Sequence, residues 1–83
     1  MNEKTIRALV EAGAVKKVMM VAVGATIHVD IVTQGGATTA TTLKGAIKTW
    51  VTIDASAKWV KSLGIGRIQL VVDKWLPGQR GLS

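Results

Sequence analysis

Cysteine is absent from the chain, so neither a disulfide framework nor a thiol nucleophile is available. That absence suits a reducing cytoplasm, and a cytoplasmic location is the expectation. Histidine occurs once, at His28. On a strand it would share a face with Asp30, two residues on, and the pair could orient each other. A zinc site usually needs three or four protein ligands, and no second histidine is present to complete one. A Ser–His–Asp site would have to use this same imidazole. Carboxylates are few as well: five Asp plus Glu, of which Glu3, Glu11 and Asp54 are explained by helical positions. No catalytic residue, metal site or cofactor site is therefore expected, and the chain reads as a non-enzyme. Long apolar runs are missing too. The most apolar stretch, residues 18–32, is broken by Gly24, His28 and Asp30 and falls short of the roughly 20 residues a membrane-spanning helix requires. Glu3, Lys4 and Arg7 are followed by no uninterrupted apolar segment, so neither a signal peptide nor a membrane partner is expected.

What is abundant is positive charge and β-branched or aliphatic side chains. Eleven Lys plus Arg stand against the five acids, a net charge of +6 on 83 residues, and 48% of the residues are hydrophobic. The apolar content argues against disorder. A charge of this size on a small body favours polyanionic partners through the summed field. The basic residues are scattered, with Lys16–Lys17 the one adjacent pair.

Hydrophobic periodicity gives the element order. Asn2 or Thr5 can cap a first helix whose apolar stripe is Ile6, Leu9 and Val10, ending at Ala12–Gly13. Residues 15–23 are apolar on both parities, the pattern of a central strand covered on both faces. Gly24–Ala25 makes a two-residue turn. Residues 26–33 then alternate, with Ile27, Val29 and Ile31 inward and Thr26, His28, Asp30 and Val32 outward. After Gln34–Gly35–Gly36, the threonine-rich residues 37–43 suit a polar edge strand, and Lys44–Gly45 a bend. One long bent strand and two short ones both fit residues 37–53.

The stretch from Lys48 to Val72 is the most legible. Residues 47–53 alternate as a strand, Asp54 stands where an N-cap belongs, and Ala55, Ser56, Trp59, Val60 and Leu63 form a helical stripe. Gly64 is placed to end that helix, and residues 67–73 return to period two. Gly64-Ile65-Gly66 follows a helix and precedes a strand, the reverse of a phosphate-binding loop, so it reads as a cap and turn. Residues 1–76 are expected to form one domain and residues 77–83 a flexible C-terminal tail.

The predicted fold is α+β. One mainly antiparallel sheet of 4–5 strands carries two helices on one face, in the order α-β-β-β-(β)-α-β, with the 47–53 strand parallel to the last. Helices on one side leave the other to solvent. That open face is expected to carry Val32, Trp50 and Val71 and whichever Met/Val parity of the first strand points there, with His28, Lys48, Thr52 and Gln69 around them. An apolar patch ringed by polar groups marks an interaction surface, for a protein partner or a second copy in a homodimer. The alternative is a small basic nucleic-acid-binding protein that contacts phosphates through Lys16, Lys17, Lys48 and Arg67 and stacks a base on Trp50.

Three segments carry a resemblance: KTIRALVEAGAVKKV near the start, KTWVTIDASAKWVKSLGIGRIQL in the middle and WLPGQRGL at the end. Together they resemble small partition-associated proteins of plasmids and integrative elements. The resemblance implies an accessory role in plasmid partition or maintenance, beside a partition ATPase and a centromere-binding protein, without enzyme activity. It points to no site residue, and this chain lacks the more strongly basic tail of such proteins.

Overall fold

The computed structural model describes residues 1–76; the expected flexible tail, 77–83, lies outside the described residues. The first helix, α1 (Glu3–Glu11), begins where the Asn2 side chain accepts the Thr5 N–H at 3.0 Å. That bond satisfies one of the free N–H groups of the first turn. Strand β1 (Lys17–Gly24) turns straight into β2 (Thr26–Thr33), with Val23 opposite Thr26 across the loop. Gly24 takes φ +60°, while no non-glycine residue among the described residues has positive φ. Positive φ at the first loop position alone is the II′ pattern that matches strand twist. Strand β3 (Gly36–Thr39) pairs antiparallel with β2.

The second helix, α2 (Ile53–Ser62), ends at Leu63, and Gly64 follows with φ +92°. A Cβ at Gly64 would stand 3.4 Å from Val10 Cγ1 of α1, so this glycine serves both the cap and the close approach of the helices. Strand β4 (Gln69–Trp75) pairs parallel with β1. The sheet order is β3-β2-β1-β4.

Alternation along β1 and β2 sends Val18, Met20, Ala22, Ile27, Val29 and Ile31 to one face, where all are buried. Ile6 of α1, and Val60 of α2 with Leu63 at its end, lie in the same core. Each such aliphatic side chain contributes about 1.5–3 kcal/mol relative to exposure. Both helices therefore cover one face of one sheet, and the coarse α+β expectation holds.

The finer expectations need correction. The sheet has four strands and is mixed: two antiparallel pairs join one parallel pair, and the parallel pair is not the expected one. Residues 47–53 form no strand; Ile47 and Trp50 make isolated bridges to Thr41 and Ile27. A turn between Thr42 and Ala46 folds the chain back, Lys48 N–H bonds to the Ala40 carbonyl, and the segment runs on across β2 into α2. The strand parallel to β4 is thus β1. The cap of α2 is Thr52, whose hydroxyl accepts the Ala55 N–H at 3.1 Å; Asp54 lies within the first turn. Strand β1 is central as expected, but only one of its faces is fully buried, Met19 and Val21 remaining partly exposed.

Candidate functional site

The uncovered face of the sheet is built from the opposite parity. Register places Lys17, Val32 and Ala37 in one row, Gln69, Met19, Asp30 and Thr39 in the next, and Val71, Val21 and His28 in the third. Residues directly opposite in a ladder share a face. Met19, Val21, Val32 and Val71 are each partly exposed, and Val23 at the strand end is 47% exposed. Val32 and Val71 stand where the alternation puts them, and His28 and Gln69 accompany them. Met19 and Val21 join them because β1 shares the parity, which the doubly apolar β1 sequence could not reveal.

Trp50 does not belong to this face. Its backbone N–H and C=O both bond to Ile27, a core residue, at 2.9 and 2.8 Å. Opposite partners point the same way, so Trp50 turns to the helix side. Its ring centre lies 4.9 Å from that of Trp59, the planes tilted by 45°. Lys48 follows it there, its Nζ 5.4 Å from the Trp50 centroid and 5.6 Å from that of Trp59, within cation–π range. Trp59 donates its indole N–H to Glu3 at 3.2 Å, and Arg7 donates to the other carboxylate oxygen at 3.0 Å. The Arg7 bond first, then the indole N–H, hold the Glu3 carboxyl below its ordinary pKa, with the charges of Arg7 and Lys48 adding to the effect. Thr52, also expected on the open face, is occupied capping α2.

The open face has one polar cluster. Thr39 donates its hydroxyl to Asp30 Oδ1 at 2.7 Å, and His28 Nε2 stands 3.6 Å from Asp30 Oδ2. In a nucleophile–base relay the imidazole sits between hydroxyl and carboxylate. Here the carboxylate sits between the other two, which orients Thr39 and does not activate it. Among the described residues no group of three His, Cys, Asp or Glu is placed to hold a metal ion.

The four basic residues singled out from the sequence divide three to one. Lys16, Lys17 and Arg67 line two adjoining clefts, of about 300 and 280 Å³, where β1 and β4 begin. Arg67 precedes Gln69 by two residues, as Lys17 precedes Met19, and Met19 pairs with Gln69. The parallel ladder is what brings them together. Lys48 is elsewhere, over the tryptophans.

No helix among the described residues is long and apolar enough to cross a membrane. No protein-family model, no curated protein and no solved structure matches this chain.

Proposed function

We propose that this protein is a non-enzymatic accessory module in plasmid partition or maintenance, which works by holding a protein partner on the open face of its sheet. The carrying observation is the set Met19, Val21, Val32 and Val71 on a face that neither helix covers. Apolar side chains left in contact with water on a sheet, with Lys17, His28 and Gln69 around them, form the kind of patch that association removes from solvent. The plasmid setting comes from the resemblance of residues 4–18, 48–70 and 75–82. The partition machinery is the expected partner, and a homodimer is the simplest alternative occupant.

The test is a pull-down from a host carrying the encoding element, with Val21→Asp and Val71→Asp beside the parent protein, and light scattering across a concentration series. Both substitutions place a charge in the patch while sparing the core. A partner retained by the parent and lost by both variants supports the reading. Capture that is indifferent to both, from a protein that stays monomeric, removes it.

A further inference from the structure

We infer that the end of the fold where β1 and β4 begin side by side is a docking site for the phosphodiester backbone of a nucleic acid. Lys16 and Lys17 enter it from β1 and its approach, Arg67 from the approach to β4, and all three are exposed. Among the described residues no carboxylate lines either cleft. Elsewhere Arg7 and Lys58 are held by Glu3 and Asp54. Among the described residues these three cations have no such ion pair. The C-terminal ends of α1 and α2 both reach the larger cleft, at Val10 and Gly64. Each helix end carries about half a negative charge, so about one of the three positive charges is offset and two remain.

The chemistry favours an extended polyanion over a single small anion. The cations stand along two adjoining surface clefts and do not close around one point, and the net charge of +6 adds a long-range attraction. Among the described residues no aromatic side chain lines either cleft, and Trp50 is engaged with Trp59. Base stacking is therefore not part of the contact. Recognition rests on phosphates alone, without sequence preference, and the duplex, with the higher linear charge density, binds more tightly than the single strand.

The experiment is fluorescence anisotropy with a short labelled DNA duplex, and the same strand unpaired, over a salt series. The variant Lys16→Ala/Lys17→Ala/Arg67→Ala is compared with Lys4→Ala/Lys44→Ala/Lys74→Ala, which removes equal charge from other places. The first is expected to lower affinity about tenfold or more and to flatten the log–log salt slope by up to about 3, while the second changes affinity less than about threefold. Should the first variant lose its far-UV circular dichroism, Lys17→Gln with Arg67→Gln carries the same comparison. Equal losses in the two variants would overturn the assignment, because a diffuse field would then suffice. So would failure of the parent to bind at about 50 mM salt. Displacement of DNA by millimolar-range inorganic phosphate at constant ionic strength would overturn it in favour of a free-phosphate site.

Discussion

Trp59 on α2 donates its indole N–H to the Glu3 carboxylate on α1, and that one carboxylate also holds Arg7, whose Nη1 donates to the Ser62 carbonyl at 3.0 Å. A single acidic side chain thereby ties the first turn of one helix to two points on the other. Lys48 adds a cation above the tryptophan pair. What the sequence suggests as a stacking platform is, in three dimensions, the joint between the helices and the segment leading into α2.

The Glu3 joint gives a pH dependence with a definite sign. Its folded-state pKa lies below the ordinary glutamate value. Ionised Glu3 therefore stabilises the fold above the unfolded-state pKa, and that contribution disappears as pH falls through the lower folded value. Urea titrations across the acid range are expected to show Glu3→Gln less stable than the parent at neutral pH and flatter in its acid dependence. Tryptophan emission should change in the parent over the same acid interval. An acid limb identical in Glu3→Gln would show that the joint is not coupled to folding.

Lys48 is expected to act on stability and not on DNA affinity. Lys48→Met keeps most of the hydrocarbon stem and removes the charge. Losing a partly exposed cation–π contact costs about 0.5–1 kcal/mol, read from the urea midpoint at unchanged m-value. In the anisotropy assay its effect should not exceed that of removing a control lysine such as Lys44. A fall in DNA affinity matching that of the Lys17→Gln/Arg67→Gln pair would return Lys48 to the phosphate contacts.

The cap of α2 separates two readings that the sequence leaves close together. Asp54 has the right chemistry and stands beside the helical stripe, but the structure gives the role to Thr52, two residues earlier. Asp54 instead pairs with Lys58 at 3.0 Å, both side chains 77% exposed. Thr52→Ala should cost about 1 kcal/mol, the usual value of a lost cap. Asp54→Asn should stay within about 0.5 kcal/mol, because an exposed pair and a screened dipole contribute little. Equal costs in thermal or urea unfolding would put the cap back on Asp54.

This pattern shows what kind of information the chain carries locally. Ile27, Val29 and Ile31 were legible as a buried face because strict alternation admits one register. Gly24 and Gly64 were legible because cap and turn chemistry is local, while the cap of α1 was narrowed only to Asn2 or Thr5 and the fold chose Asn2. The partner of β4 was not, since parallel pairing is decided by which hydrophobic surfaces meet across long loops. Residues 47–53 alternate as well as many strands do, yet the Thr42–Ala46 turn and the pairing of Trp50 with Ile27 leave them only isolated bridges. Losing that strand moved Trp50 and Lys48 off the open face. Gaining the β1–β4 ladder brought Lys16 and Lys17 to Arg67. Val32, Val71 and the cations Lys16, Lys17 and Arg67 were thus visible in the sequence as candidates, while the choice of Met19 and Val21 and the loss of Trp50 and Lys48 were tertiary facts.

Ser56 offers a test of the core itself. It is fully buried on α2, and its hydroxyl has no hydrogen-bond partner. Its backbone N–H bonds to Thr52, so the helix is satisfied there and the side chain alone is orphaned. A buried unpaired polar group costs about 1–3 kcal/mol, and alanine is the better helix former by about 0.5 kcal/mol. Removing one oxygen from so small a side chain leaves little cavity to set against these gains. Ser56→Ala is therefore expected to stabilise the protein by about 0.5–1.5 kcal/mol, measured as a raised urea midpoint. Ser56→Val, which adds a branched side chain where the packing holds only serine, should instead destabilise by about 1–3 kcal/mol. A loss of stability in Ser56→Ala would mean that the hydroxyl has a bonding partner in solution, such as a bound water, and that this position is polar by requirement.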